Sequence, residues 1–307
     1  MRKIAVVLIL LWCAPASAKV VNVEFKFTPF VGDPTKSDQV ETVPGQAEVF
    51  LNDLPIAEQP VQKQEVPVLF DEREIAPAVW LPVESLGGAL RKGKNKIRIE
   101  FTPEDAKAAY RAQLRWASVT DETKEEGDAG HHKSTNQADE GVEDKKATGK
   151  VVFEREFVAD FAADQPWHYA PPVTELSDAD KQQLKAMVQA RADAFQPDFA
   201  ELYKLLERNS KIDLSALKAA KCLDKAHAVG VRIAAAPADE IEISTTGGAA
   251  VVVRAKSGNL YRPADPSAFE KIEGDETQMC VGMVLFAAYP PRLALVRTAS
   301  GGWETAY

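Results

Sequence analysis

The sequence predicts a mixed α+β protein in two parts, and three observations support this. Residues 20–116 contain short stretches in which apolar and polar residues alternate. Residues 177–230 carry apolar residues at helical spacing, and alternation then returns up to the end of the chain. A run of strands, followed by helices and more strands, is typical of an antiparallel β domain joined to an α+β domain. The length of 307 residues suits about two domains.

The first part, residues 19–170, is predicted to be an antiparallel β-sandwich of the jelly-roll type. Its stretches VVNVEFKF, AEVFLND, QEVPVLF and KGKNKIRIEFTP are short, and Pro, Gly and Asp separate them. Alternation continues in YRAQLRWASV and resumes in KVVFEREFVADF. Many short strands at near-regular spacing are typical of two packed antiparallel sheets.

A charged segment, residues 119–149, interrupts this pattern. It contains almost no apolar residue, so it cannot bury enough surface to become ordered, and it is predicted to be a disordered acidic loop. Because strand alternation resumes after it, the loop is placed between the last two strands of the first domain. Pro171 and Pro172 then mark a linker over residues 171–176.

The second part, residues 177–307, is predicted to begin with three helices. Ser177 is a candidate N-cap with Asp180 three residues later, and Pro197 suits the first turn of a second helix. The third helix is expected from Asp213 to Gly230. The stretches EIEIS, AAVVVRA, NLYR, MCVGMVLFAAY, LALVRT and WETAY then predict an antiparallel sheet with one face covered by the helices.

The N-terminus predicts export. Arg2 and Lys3 precede a short apolar run from Ile4 to Trp12, and residues 16–18 form an A-x-A cleavage site, so residues 1–18 are predicted to be a signal peptide. Trp12 before Cys13 disfavours a lipoprotein signal, for which a small residue is usual at that position. No later apolar run reaches the roughly 20 residues of a membrane span. A periplasmic or extracellular location is expected.

Charge and cysteine content limit the partners. Loss of Arg2 and Lys3 moves the formal charge from −9 to −11, which disfavours nucleic acid and anionic membrane surfaces as partners. The mature chain keeps Cys222 and Cys280, which in an oxidising compartment are either a disulfide or two buried thiols. A catalytic or metal-binding cysteine is the less favoured alternative, because no CxxC or Cys-His spacing is present.

The ending LVRTASGGWETAY resembles the NTF2-like (SnoaL-like, cystatin-like) superfamily over about residues 176–307. The resemblance implies helices packed on a strongly curved antiparallel sheet, with the terminal strand in the middle and Trp303 under the helices. It also implies a cone whose open end can hold a small ligand. Some members are enzymes that use an Asp-His pair or a lone Asp, but no such pair stands at matching positions here.

The first part resembles galactose-binding-like jelly rolls more loosely. AEVFLND is similar to their V-x-V-N-G hairpin, and LPVESLGGALRKGKNKIRIEF is similar to their L-x-x-G-x-N-x-I-x-V strand entry. In that entry, the resemblance implies that Gly93 and Asn95 shape the turn.

Five residues are candidate ligand-binding positions, each with a structural alternative. Trp167, His168 and Tyr169 precede the linker and either line a cleft between domains or pack at the junction. His227 follows Asp224 by three residues, so both lie on one helix face. The two are either a general base, in which the carboxylate orients the imidazole, or an ordinary surface pair. Glu240 and Glu242 alternate with Ile241 and Ile243, so both carboxylates lie on one sheet face, where they are either an acid pair or the wet face of an edge strand.

Two further pairs are weaker candidates. His131 and His132 lie in the acidic segment and either hold a divalent metal or are solvated. Trp80 and Trp116 either form a platform for stacking sugars or pack in the core.

The residues favour a non-catalytic binding protein over an enzyme. No phosphate-binding Gly-rich loop, G-x-S-x-G or H-E-x-x-H motif is present, so no catalytic residue, metal or cofactor is expected. We expect an exported protein of the bacterial cell envelope or periplasm that recognises a protein or a glycan. One alternative is a small hydrolase or isomerase that uses the cone-shaped pocket of the C-terminal domain. A structural assembly component with an exposed apolar patch is another.

Overall fold

The structure is a computed structural model that describes residues 20–69, 74–120, 137–207 and 212–306. It is a mixed α+β fold with antiparallel sheets, one of them curled into a half-barrel. The predicted signal peptide, residues 1–18, and the candidate metal ligands His131 and His132 lie outside the described residues.

The first part contains eleven described strands in two sheets. Their bounds are β1 Val20–Val31, β2 Gln39–Thr42, β3 Gly45–Leu51, β4 Leu54–Val61, β5 Glu65–Leu69, β6 Glu74–Ile75, β7 Val79–Pro82, β8 Gly93–Pro103, β9 Ala109–Thr120, β10 Gln137–Thr148 and β11 Val151–Ala159. The seven-stranded sheet has the order β10-β9-β1-β2-β5-β6, with β7 paired to β1, and the four-stranded sheet has the order β11-β8-β3-β4.

Aromatic side chains of the two sheets meet in one core. Phe27 of β1 lies 5.8 Å from Phe101 of β8 and 5.7 Å from Phe153 of β11, measured between ring centroids. Phe25 lies 5.1 Å from Phe157 in the same way. The alternating apolar positions of β1, β8 and β11 are therefore the inward positions, because successive side chains of a strand point to opposite faces.

The prediction of a disordered loop over residues 119–149 is wrong where the structure describes it. Residues 119 and 120 belong to β9, and residues 137–148 form β10, which pairs with β9 from Gln137 to Thr148. An edge strand needs backbone hydrogen bonds more than buried side chains, and two charged side chains of β10 find partners on β11. Asp139 lies 2.7 Å from Arg155, and Lys145 lies over the ring of Phe153. Composition alone does not reveal such pairing.

The second part contains six α-helices and six strands among its described residues. The helices are α1 Asp178–Asp193, α2 Ala200–Glu207, α3 Leu214–Ala220, α4 Cys222–Ala228, α5 Ser267–Glu270 and α6 Asp275–Ala288. The strands are β12 Ile233–Ala235, β13 Ile241–Thr245, β14 Ala250–Ala255, β15 Tyr261–Pro263, β16 Arg292–Arg297 and β17 Trp303–Thr305.

Two helices differ from the prediction at their boundaries. The second helix begins at Ala200 and not near Pro197, because Asp198 and Phe199 have φ angles of 74° and 50°, which are not helical. The expected third helix is divided into α3 and α4 by Lys221, whose φ of 52° lies in the left-handed region. Periodicity of the apolar residues does not reveal such local breaks.

The stretch MCVGMVLFAAY, predicted to be a strand, lies largely in helix α6. Val281, Val284 and Ala288 are buried at helical spacing, and Gly274 with a φ of 84° precedes the first turn. A short, continuously apolar run fits a buried strand and a helix equally well, so the pattern could not decide between them.

The C-terminal four-stranded sheet has the order β13-β14-β16-β17. β16 and β17 form the expected hairpin, but β17 lies at the edge of this sheet and not in its middle. Trp303 is buried in the same core as the helices.

Both faces of the C-terminal sheet are covered. Val251 and Leu295 face the core formed with the helices, whereas Ala250 and Val296 belong to the core of the first part. The prediction of a single covered face therefore describes half of the packing. Among the residues described here, no helix is long and apolar enough to cross a membrane.

Candidate functional site

His168 is buried, and both nitrogens of its ring are engaged. Nδ1 accepts a hydrogen bond from the backbone N–H of Gln165 at 3.1 Å, and Nε2 lies 3.0 Å from the carbonyl oxygen of Gly88, to which it donates. Burial lowers the pKa of His168, and a neutral imidazole fits this pair of bonds. Neither ring nitrogen is therefore available to bind a ligand. The bond to Gly88 connects residue 168 to the segment before β8.

The neighbours of His168 do not form a cleft with it. Trp167 is buried in the core of the first part, whereas Tyr169 is 71% exposed. The hydroxyl of Tyr169 donates to Asp164 at 2.7 Å, and this hydrogen bond raises the pKa of the tyrosine. The three consecutive aromatic residues are thus brought to three different environments.

His227 lies at the end of α4 against two phenylalanine rings. Its ring centroid is 6.3 Å from that of Phe195 and 6.1 Å from that of Phe199. Burial and then the nearby charge of Arg232 lower the pKa of His227, and the charge of Asp224 acts in the opposite direction. In the described part of the chain, His227 and Asp224 share no hydrogen bond, so the pair lacks the geometry of an oriented general base.

Glu242 is engaged in an ion pair with Arg254, and Glu240 lies before the first residue of β13. Oε2 of Glu242 accepts a hydrogen bond from Nε of Arg254 at 2.8 Å across the β13–β14 ladder. Arg254 also lies 3.8 Å from Glu48 of β3. This network borders a groove of about 260 Å³ between the first part and the C-terminal sheet. Glu242 therefore belongs to the polar rim of the junction.

Cys222 and Cys280 form a disulfide that joins α4 to α6, with their Cα atoms 6.3 Å apart. The bonded sulfurs are neither nucleophiles nor metal ligands. Among the described residues, no group of three or more His, Cys, Asp or Glu side chains could hold a metal ion.

Trp80 and Trp116 lie on opposite faces of the large sheet, so they do not form one platform. Trp80 is paired in register with Lys26, whereas Trp116 is paired with Phe25, and neighbouring residues of β1 point to opposite sides. Trp116 points inwards, where the guanidinium of Arg155 lies 4.0 Å from its ring. Trp80 points outwards and is 55% exposed.

The indole of Trp80 is held in place beside a polar groove, which we call the tryptophan groove. Trp80 Nε1 donates to Oε2 of Glu24 at 3.0 Å, and Glu24 is one of the residues that line the groove. The groove measures about 490 Å³. Its wall includes Lys26, Glu74, Arg115 and the half-exposed Val142, and Trp116 also contributes to the lining, although its ring stacks against Arg155 on the inward side.

Ion pairs connect the charged residues of the tryptophan groove. Lys26 Nζ lies 3.2 Å from Glu24 and 3.2 Å from Glu74, which in turn lies 3.6 Å from Arg115. Burial alone would lower the pKa of Lys26, but its hydrogen bonds to Glu24 and Glu74 raise it, so the ammonium stays charged. The groove therefore presents fixed donors and acceptors beside an apolar ring.

The sequence pointed to part of this site. Alternation in β1 places Glu24 and Lys26 on the face opposite Phe25 and Phe27. Polar residues at such positions predict a face exposed to solvent. The pattern could not show that Glu74 of β6 returns across the sheet to reach Lys26, because β6 is two residues long and 48 residues away.

A scan against protein-family models and searches of curated proteins and of solved structures find no match for this chain.

Proposed function

We propose that the protein is an exported, non-catalytic binding protein of the bacterial cell envelope or periplasm, and that it recognises a glycan at the tryptophan groove. One observation carries the proposal. Trp80 is 55% exposed, yet its ring is oriented by a hydrogen bond to Glu24 at the border of a groove that holds both carboxylates and cations.

The chemistry of the groove suits a sugar better than an apolar ligand. An aromatic ring offers a flat surface to the C–H face of a pyranose, and flanking charged groups offer donors and acceptors to its hydroxyls. Glu24 and Glu74 accept hydrogen bonds, while Lys26 and Arg115 donate them. Because both signs of charge are present side by side, the groove favours a polar ligand without a large net charge.

Two features support export and the arrangement of the parts. A disulfide between Cys222 and Cys280 suits an oxidising compartment, and the N-terminal pattern suits a signal peptide. In this proposal, the two sheets of the first part form a β-sandwich, and the second part is an α+β cone of the NTF2-like type. The aromatic contacts between the two sheets support the former, and the helices that share a core with the C-terminal sheet support the latter.

The test is calorimetric titration of the mature chain with oligosaccharides, including peptidoglycan fragments and neutral glucans. We expect one glycan class to bind and Trp80→Ala to weaken its affinity. Stacking that buries about 100 Å² of the ring is worth about 2.5 kcal/mol, which corresponds to roughly a seventyfold change in affinity.

Tyr169→Ala is the matched control, since Tyr169 is an exposed aromatic residue whose hydroxyl donates to Asp164, whereas Trp80 donates to Glu24 of the groove lining. It should bind the glycan like the unaltered protein. Absence of binding to every glycan, or equal binding by Trp80→Ala, would show that the tryptophan groove is not a sugar site.

A further inference from the structure

Helix α6 exposes an apolar stripe that the proposed glycan site does not use. Met279, Met283 and Phe286 are 63%, 60% and 84% exposed. Their spacing of four and then three residues places them on one face of the helix. Exposed large apolar side chains in a contiguous group mark an interaction surface more often than scattered ones do.

The stripe is rigid and free of charge. Val281, Val284 and Ala288 bury the opposite face of α6, and the disulfide from Cys280 to Cys222 holds α6 against α4. Residues 277–288 include no charged residue, although the chain carries a formal charge of −9. Two copies can therefore approach through this face without bringing like charges together.

We propose that this stripe binds the same stripe of a second copy, with the two α6 helices antiparallel about a two-fold axis. Gly282 stands near the middle of the helix, and apart from its chain neighbours and the backbone of α6 itself nothing lies within 4 Å of the position that a Cβ would take there. A two-fold contact is self-complementary, so residue i faces j and j faces i. In the register centred on residues 282 and 283, Met283 enters the open space over Gly282 of the second copy.

The same register matches the other side chains. Met279 comes opposite Phe286 of the second copy, which gives two favourable contacts between a thioether and an aromatic ring. Neither helix has to bend to make this contact. α6 is about 21 Å long at 1.5 Å per residue, and the stripe runs along its middle.

Charges at the two ends of the stripe favour the antiparallel direction. Asp275 and Glu276 lie in the first turn of α6, and Arg191 donates to the carbonyl oxygen of Ala288 at the other end, at 2.6 Å. An antiparallel pair places each acidic end near the arginine-bearing end of the second copy, and it also opposes the two helix dipoles. A parallel pair would place the acidic ends together.

The experiment is sedimentation velocity of the mature chain, residues 19–307, from about 1 µM to about 500 µM. We expect the mass to rise from one copy to two with concentration. Met279→Lys and Phe286→Glu should each weaken self-association at least tenfold, about the loss expected for a central apolar contact. Both residues are exposed, so the melting temperature should not change.

A charge-swap variant tests the register. Met279→Lys combined with Phe286→Glu places a cation opposite an anion at both ends of the antiparallel contact, so it should restore association that each single change removes. Val158→Glu, at a 40% exposed valine of β11, is the control and should associate like the unaltered chain.

A single copy at all concentrations, or single variants that associate normally, would overturn the proposal. Failure of the combined variant to restore association would overturn the antiparallel register. A chain that stays single and instead floats with phospholipid vesicles through Phe286 would show that a lipid surface is the occupant.

Discussion

Asp180 connects the start of α1 to the terminal hairpin. Its Oδ2 accepts hydrogen bonds from the backbone N–H and the hydroxyl of Ser177, at 3.1 Å and 2.7 Å. Its Oδ1 lies 3.2 Å from Trp303 Nε1 and 3.1 Å from Arg297. These bonds, first of all those from Ser177, lower the pKa of Asp180 to about 2. A single carboxylate therefore holds two distant segments together.

Asp180→Asn should lower the melting temperature at neutral pH and lower the free energy of unfolding by about 1 kcal/mol, the usual net contribution of a hydrogen bond. Because the folded-state pKa is below the unfolded value, the carboxylate stabilises the fold above about pH 4. This stabilisation is lost as the pH falls towards 2. Melting curves of variant and unaltered chain from pH 7 to pH 2 should therefore converge at the acid end.

Asp178→Asn is the control for this experiment. Asp178 stands in the same first turn, but its side chain is 98% exposed and its ion pair with Lys181 is at the surface. Its melting temperature should follow that of the unaltered chain at every pH. A gap for Asp180→Asn that stays constant down to pH 2 would contradict the assignment.

At the scale of residues, spacing predicts local bonds and misses distant ones. Ser177 and Asp180 are three residues apart, so their reciprocal cap was predictable. The contacts of Asp180 with Trp303 and of His168 with Gly88 join residues 123 and 80 positions apart. Such pairs depend on how the elements pack, about which periodicity carries no information.

The helices α4 and α6 are joined by the disulfide, which closes a separation of 58 residues. A loop of that length restricts the unfolded chain by about 4 kcal/mol in the chain-entropy description. We expect a reductant to lower the free energy of unfolding by about that amount. Denaturant titration with and without the reductant measures the difference.

A variant with Cys222→Ser and Cys280→Ser should match the reduced protein and should not respond to the reductant. It therefore separates the loss of the bond from other effects of the reagent. If the unaltered chain unfolds at the same denaturant concentration in both conditions, the bond does not stabilise the fold in solution.

At the scale of elements, alternation predicts strands well where one face is buried. β1, β8, β9 and β11 lie where the alternating stretches lie. The pattern is wrong for α6, which is apolar on its exposed face as well as on its buried face. The pattern also misses β10, because its side chains are polar and the strand is formed by backbone hydrogen bonds to β9. In both cases the deciding interaction lies outside the element.

At the scale of the molecule, the C-terminal sheet is a shared layer between two cores. β16 directs Leu293 and Leu295 to the helices, while Val296 joins the core that contains Phe25 and Phe27. Because both faces of β14 are buried, its sequence is a nearly continuous apolar run and does not alternate. The sequence pattern predicts two parts, but it gives no sign that Ala250 and Val296 of the second part join the core of the first.

Val296→Asp tests whether this shared layer couples the two parts. Val296 is 1% exposed, so an aspartate there buries an unpaired charge, which we expect to cost about 3 kcal/mol or more. Val152→Asp is the control, since that valine is 37% exposed and the change should cost little.

Two signals follow the two parts separately in this experiment. Far-UV circular dichroism at the helical band follows the second part, which holds all the α-helices of the described chain, and tryptophan fluorescence follows mainly Trp80, Trp116 and Trp167 of the first part. We expect the unaltered chain to give coincident transitions, and Val296→Asp to move both to lower temperature. A shift of the helical signal alone would show that the first part does not depend on the C-terminal sheet. Coincident shifts would mean that the tryptophan groove and the α6 stripe belong to one cooperative unit, although they lie in different parts of the chain.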